Sequence, residues 1–443
     1  MTAQGTGGTT MDSPRQTVRW DAVTVLTVGM VLVCAIPSYL SVSALGPLGR
    51  PGVLWFLAAV LWWEWSQLQR PFPLVTQSQP VRRLLFLFLA VVVASYALTN
   101  FAGLPPDEGR AADTGAIRIL SWAGIFLIAN DGITDRERLL VLLRRVATVG
   151  ALMSALGLLQ FATGQSLVSA ITVPGFTAGA DFDNIQGRSG FLRAAGTASH
   201  PLEYGIVLCM SLPIAVSLAL NDAKGRSILR WLAVGVILCA SALSVSRSAL
   251  VGIGVALAVL VPGLPRFMRL RIFFILSVGA AALYLFVPGM VGTVRGLFTG
   301  ISEDGSTQSR TSSYEAALDL VGRNPWVGRG FGTFLPEYRI VDNQYLLLLI
   351  ELGLAGFFFF IVMLVRAACS CLQARRAFKD PFMKQMSIAL ISSLAAGSVM
   401  FAFFDALSFP MAASFMFLIL GLAGAVWRVA RNETNTRVLP AAR

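Results

Sequence analysis

The sequence predicts an all-α, polytopic membrane protein with about 12 transmembrane helices and two long extracytoplasmic loops, and three observations carry this expectation. The 443 residues are 56% apolar before the 41 glycines are added, and only 13% are charged. Soluble globular chains sit near 45–50% apolar with glycine included, and about 25% charged. A mean hydropathy of +0.71 agrees. The apolar residues also fall in long, nearly continuous runs, not in the short alternating segments of a transmembrane barrel. Finally, the basic residues divide between alternate connections so that one orientation is consistent along the chain. A soluble enzyme, a disordered chain, a collagen and a disulfide scaffold are excluded.

A helix needs about 20 apolar residues to cross roughly 30 Å of hydrocarbon. Residues 1–21 precede any such run. They are Gly/Thr-rich with Arg15 and Arg19, and lack a short apolar core followed by a small-residue cleavage site, so a cytoplasmic tail is expected and no cleaved signal peptide. Five runs follow at about 22–40, 51–67, 83–101, 115–130 and 140–161. A polar stretch over about 162–200 separates them from four more, at about 201–220, 229–246, 248–264 and 271–288. Only Ser246-Arg247-Ser248 divides the second of these four from the third. A second polar stretch, about 289–342, precedes the last runs at about 343–366, 385–405 and 410–428. The membrane domain is thus 22–428, and 429–443 forms a second tail.

With the N-terminus in the cytoplasm, about 24 of the 35 basic residues fall inside and 11 outside. An even number of spans returns the C-terminus inside, which favours twelve over eleven or thirteen. The net charge of +12 is then mostly a topology signal, and no nucleic-acid partner is needed to explain it. All three lysines, Lys224, Lys379 and Lys384, are inside, so every outer basic residue is an arginine. Its planar fork suits bidentate phosphate contacts. Cys34, Cys209, Cys239, Cys369 and Cys371 lie in or beside apolar runs, and Cys369-Ser-Cys371 lacks the partners of a zinc site. Neither a disulfide framework nor a metal is expected.

Structureless connections beyond about 15 residues are uncommon unless functional or disordered, which directs attention to the two outer loops. In the second, Ser312-x-x-Glu315 forms a capping box opening an amphipathic helix through Tyr314, Ala317, Leu318 and Val321. Gly322 before Asn324-Pro325 ends it, and it is expected to lie across the outer membrane face. No strand precedes Gly328-Arg329-Gly330-Phe331-Gly332, so it is no nucleotide cradle. It reads as tight backbone able to approach a ligand or a neighbouring helix closely.

The first loop ends in Arg193, then Gly196-Thr197-Ala198-Ser199-His200-Pro201. His200, the single histidine, reads either as a helix-start residue satisfied by neighbouring backbone or as a ligand-binding side chain; alone it builds no metal site. Arg247 either snorkels to the outer headgroups or serves a function at membrane depth. Arg310, Arg323, Arg329 and Arg339 share the outer side with Arg193 and Arg247, and several convergent arginines favour an anion site. Asp342, before Asn343-Gln344-Tyr345, reads as a helix cap or a general base. Glu351, about two turns further on, is a costly intramembrane carboxylate and the other candidate base. Glu64, Glu203 and Asp405 are weaker candidates.

Taken together, these stretches resemble a known family. Arg193…Gly196-Thr-Ala-Ser-His200-Pro201, Ser244-Val-Ser-Arg247-Ser248, Arg310, Asn324-Pro325-x-x-Gly328-x-Gly330-x-Gly332 and Asp342-Asn343-x-Tyr345-Leu346…Glu351-x-Gly353 carry the resemblance. It is to the O-antigen ligase and Wzy-type polymerase superfamily, polytopic glycosyltransferases of the GT-C type, and covers roughly residues 115–425. The resemblance implies transfer of an oligosaccharide from a polyprenyl diphosphate carrier to an acceptor glycan hydroxyl. The transfer would be inverting, independent of metal and of any cofactor, and on the outer face of the cytoplasmic (inner) membrane. It places Arg193 and Arg247 on the diphosphate with Arg310 assisting. Asp342 or Glu351 would be the base, with His200, Arg329, Asn343 and Tyr345 around the substrate. The partners that fit are the carrier-linked oligosaccharide, the acceptor glycan, the lipid bilayer, and a chain-length regulator or export complex.

Ligases of this family that attach glycans to lipid A carry a histidine where this chain has Asp342. That departure favours a Wzy-type polymerase over a ligase with a lipid or protein acceptor. The rival from another class is a secondary transporter. Against it, the mid-chain connection at 221–230 is short, the halves do not repeat, and mid-span carboxylates are scarce.

Overall fold

The computed structural model describes residues 21–69, 79–169, 171–178, 187–188, 191–222, 224, 226–244, 246–286, 314 and 317–438. Each of the expected apolar runs is helical. The helices are α1 Ala22–Ala35, α2 Pro51–Leu68, α3 Pro80–Ala102, α4 Pro106–Gly132, α5 Arg136–Thr163 and α6 Pro201–Asn221. They continue with α7 Ser227–Leu243, α8 Arg247–Leu260, α9 Arg266–Phe286, α10 Gln344–Ala377, α11 Pro381–Met400 and α12 Pro410–Val438. The chain is an all-α polytopic membrane protein. Among the described residues, 7 helices are long and apolar enough to cross a bilayer alone: α3, α4, α5, α6, α10, α11 and α12. The bent pair Ser43–Gly49 and α2 raises this to 8, while α1, α7 and α8 are apolar but shorter.

The boundaries move where local chemistry outweighs hydropathy. α1 stops at Ala35 because Pro37 disfavours a helical residue before it. Leu40–Val42 (β1) instead pairs antiparallel with Phe176–Ala178 (β2), Ser41 opposite Thr177, and so ties the first long loop to the end of α1. α4 starts at Pro106, ahead of its expected run, since a proline at a helix start costs nothing and Asp107 and Glu108 suit the positive helix end. α12 reaches Val438, so the expected tail from residue 429 is largely helical.

Successive helices alternate in direction. Ala249 of α8 lies beside Gly205 of α6, the amide of Met411 reaches Glu203, and Gln344 meets Phe401 and Phe404. The even-numbered helices therefore start where both long loops sit, here the loop end. Asp21 pairs with Arg138 and Arg428 reaches the carbonyls of Asp131 and Ile133, so both chain tails emerge at the opposite, tail end. α6 and α12 form the centre, with 94% and 89% of their apolar windows buried, whereas α3 at 22% faces lipid.

Lipid is as apolar as a leucine side chain, so helices in it associate through close packing and hydrogen bonds. Both occur here. A β-carbon on Gly424 of α12 would fall 1.7 Å from Oδ1 of Asn130, which fixes how closely α12 approaches α4. Ser392 and Ser393 of α11 donate to the carbonyls of Ala256 (2.5 Å) and Met210 (2.6 Å), tying α11 to α8 and α6. The tail end is laced by charges. Arg82 and the Trp63 indole both bond Asp131, Arg144 grips Asp222 through two bonds of 2.6 and 3.0 Å, and Arg136 pairs with Asp380.

Candidate functional site

The second long loop folds back into the membrane domain and clasps a break in α10. Its helical segment, residues 317–323, packs Ala317, Leu320 and Val321 on Val341, Leu346 and Ile350. It ends before Asn324-Pro325, as expected, while Ser312, Glu315 and Arg310 lie outside the described residues. Gly353 has φ 64° and ψ −166°, which interrupts the helix and leaves its carbonyls and amides without helical partners. The loop supplies them. The amides of Arg329 and Gly330 donate to the carbonyls of Ile350 and Glu351 at 3.1 and 2.9 Å. The amides of Leu354 and Ala355 donate to those of Pro325 and Trp326 at 2.7 and 3.1 Å. A β-carbon on Gly328 would sit 2.3 Å from Glu351, and one on Gly353 would sit 2.5 Å from Trp326. The glycine-rich stretch is close-approach backbone, and the neighbour it approaches is α10.

This clasp fixes several candidate side chains. The Glu351 carboxylate, buried at the break, accepts the amides of Gly332 and Phe334, with Arg118 and Arg329 as its nearby cations. It holds the loop rather than facing an open cleft. Arg329 bonds the buried Glu108 at 2.7 Å and lies over the rings of Phe334 and Tyr338, whose hydroxyl also donates to Glu108. Its charge is already answered. Tyr345 donates its hydroxyl to the Ser398 carbonyl at 2.6 Å and packs against Phe357 and Phe401.

The start of α10 corrects one expectation. The cap is Asn343, whose Oδ1 accepts from the amides of Tyr345 (3.0 Å) and Leu346 (3.4 Å). The capping role read for Asp342 thus falls to its neighbour, one residue later. Asp342 lies close enough to Asp405 to raise its pKa, and burial raises it further, to about 6. Burial is the larger cause; Ser408 and Arg118 oppose both. Gln344 locks this junction. Its amide donates to Phe401 (2.8 Å) and Phe404 (3.1 Å), and its Oε1 accepts from Leu407 at 2.7 Å. Arg118 reaches the Leu407 carbonyl from α4 and stacks on Trp122.

At the start of α6, the Glu203 carboxylate accepts from Ser38 (2.9 Å), from the Ser199 amide and hydroxyl (both 2.9 Å), and from Met411 (2.8 Å). One buried carboxylate thus joins the ends of α1, α6 and α12. His200 caps α6, its Nδ1 accepting from Leu202 at 3.1 Å. Its second nitrogen therefore carries the proton. Burial lowers its pKa to about 4, and the neighbouring Arg193 adds to this, so His200 is neutral at pH 7. Its ring lies 5.7 Å from Phe409, which lies 5.5 Å from Phe404. Arg247 opens α8 behind its cap Ser246, two residues before the contact between Ala249 and Gly205. The chain breaks between α7 and α8 where Ser246-Arg247-Ser248 divides the two apolar runs, and the break presents Arg247 at the loop end.

Arg193, His200, Arg247, Asp342 and Asp405 thus all belong to the loop end, around the starts of α6, α8, α10 and α12. Arg118 and Asp405 are the residues sequence reasoning underweighted. For Arg118 a signal existed: an arginine inside the 115–130 apolar run is by default a functional candidate. Asp405 stands only among the weaker carboxylates, because its nearness to Asp342 is set by the fold and not by local sequence.

Residues 232–361 match the family model described as O-antigen ligase, Wzy_C. Over this segment, 130 of the 443 residues, the chain is similar to the O-antigen ligase family. No curated protein matches the chain. The matched span runs from α7 through α8, α9 and the clasping loop to beyond the break in α10, so Arg247, Asp342 and Glu351 fall inside the Wzy_C domain. Arg193 and His200 lie ahead of it, and the span is narrower than the resemblance over roughly 115–425. A Wzy_C domain indicates a glycosyltransferase-like enzyme of the ligase and polymerase superfamily.

Proposed function

We propose that this protein is a polysaccharide polymerase of Wzy type. It transfers an oligosaccharide from a polyprenyl diphosphate carrier to the hydroxyl of an acceptor glycan, at the outer face of the cytoplasmic membrane. The observation that carries this reading is the gathering of Arg193, Arg247 and the carboxylate pair Asp342 and Asp405 at one end of the bundle. Helix starts collect there too, and their amides and dipoles favour anions. Arginines fixed in that setting stabilise the charge that develops on a departing diphosphate, without a metal.

In the reaction, the acceptor oxygen attacks the anomeric carbon, the bond from that carbon to the diphosphate oxygen breaks, and configuration inverts. The acceptor proton passes to Asp342. Asp405 lies near enough to Asp342 to couple with it electrostatically, so the two carboxylates act as one acidic pair. The protonated nitrogen of His200 donates toward the diphosphate, and Arg310 assists by resemblance to the family. Glu351, Arg329, Asn343 and Tyr345 act as positioning residues, because their polar groups hold the loop and the start of α10.

The ligase reading stays open beside this one, because the matching domain is described by that activity. The two differ in acceptor, and one experiment separates them. Glycans on the polyprenyl carrier and in mature polysaccharide are profiled in a deletion strain complemented with wild type, Arg247→Ala or Asp342→Asn. Single repeats that accumulate and are rescued only by wild type support the polymerase; long chains stranded on the carrier support the ligase. Normal glycans with both variants would remove the proposed site.

A further inference from the structure

At the tail end, away from the candidate site, α5, α6 and α7 enclose a groove of about 510 Å³. Its walls are apolar: Ala147, Ala151 and Ala155 of α5, Ala215 of α6 and Ala233 of α7 line it together with larger residues such as Leu152, Leu218 and Val236. Three alanines spaced four apart on α5 put a row of methyl groups on one face, which cuts a trough where larger residues would fill it. The rim is of opposite character. Lys224 and Arg226 stand exposed at its mouth, while Arg144 and Arg230 both lie near Asp222, which Arg144 grips through two bonds. The two exposed cations, Lys224 and Arg226, give the mouth its positive character.

We propose that this groove is a binding site for an anionic phospholipid of the adjoining leaflet, with an acyl chain in the apolar trough and the headgroup phosphate at Lys224 and Arg226. The chemistry on the page selects this occupant. Water gains little from an apolar trough, whereas an acyl chain fills it without loss. Ile228, Leu229 and Leu232 are exposed on the adjoining face of α7, which continues the apolar surface outward for the rest of the lipid. A zwitterionic headgroup would leave the excess positive charge unanswered, while basic residues beside such pockets favour anionic headgroups. The seven-residue separation of Lys224 from Trp231 leaves a short connection whose charges serve the groove as well as the topology. The site is independent of the transferase reading.

The test uses the full chain purified in detergent, with lipid adducts counted by native mass spectrometry during titration with phosphatidylglycerol or phosphatidylcholine. Wild type is expected to retain phosphatidylglycerol over phosphatidylcholine by about tenfold or more. The double variant Lys224→Ala/Arg226→Ala changes two exposed side chains and should lose most of that preference. Ala151→Phe fills the trough, keeps every charge, and should weaken phosphatidylglycerol binding by a similar factor. A thermal melt of each variant without added lipid confirms folding. Equal retention of the two lipids overturns the proposal. So does wild-type binding by Ala151→Phe, which would mean diffuse surface attraction, or displacement by millimolar inorganic phosphate, which would mean a free-anion site.

Discussion

At the scale of single residues, environment divides groups that look alike in sequence. Asp342 and Glu351 both read as candidate bases, yet Glu351 is occupied by two loop amides while Asp342 faces Asp405. Two titrating groups give this a pH signature. The folded pKa of His200 falls from 6.5 to about 4, so its contribution to stability is lost as pH drops below its unfolded value. That of Asp405 rises from 3.8 to about 6, so its contribution is present at low pH and lost as pH rises through 6. From pH 7 to 5 the first costs about 2 kcal/mol and the second returns about 1 kcal/mol. Asp405→Asn should therefore raise thermal stability at pH 8 and make the protein more acid-sensitive relative to pH 7, whereas His200→Gln should reduce acid sensitivity. Melting curves in detergent at pH 5, 7 and 8 test both; parallel pH profiles for all three proteins would contradict the assignments.

At the scale of elements, the break in α10 and the loop that clasps it form one unit. The helix gives up its own hydrogen bonds around Gly353 and recovers them from residues 325–330. Gly353→Ala adds a β-carbon to a positive-φ residue and drives it against the Trp326 carbonyl, so stability should fall by roughly 2–4 kcal/mol. Leu354→Ala alters the same helix without touching φ and, being exposed, should cost far less. Comparing their melting temperatures separates a backbone effect from simple loss of helix packing. Equal losses would mean the break is incidental. Arg329→Gln should loosen the same clasp from its other side, since Glu108 would lose its cation.

At the scale of the whole molecule, charge and packing divide the protein into two ends. The tail end gathers paired arginines such as Arg82, Arg136, Arg138 and Arg144, while the loop end holds the candidate site. The proposed orientation puts the loop end outside. Cysteine labelling tests it in a background with Cys239→Ala and Cys369→Ala. Glu337→Cys, at an exposed loop position, should react with an impermeant thiol reagent in intact cells. Lys379→Cys, exposed at the tail end, should react only after lysis. The reverse pattern would invert the molecule and with it the proposed access of an external acceptor.

The sequence by itself determined the helices, their order and the residues gathered at the loop end. Hydrophobic runs separated by charged connections report directly on what can sit in hydrocarbon, and every expected run is helical. It also marked Arg193, Arg247, Asp342 and the close-approach glycines, because a charge or a glycine in an apolar context is a local signal. Only the tertiary structure decided their roles. Whether Asp342 or Asn343 caps α10, whether Arg329 meets substrate or Glu108, and whether Asp405 matters at all depend on residues far away in the chain. The physical reason is the medium. Away from water, a polar group's role is set by the partner that answers it, and that partner is chosen by the fold.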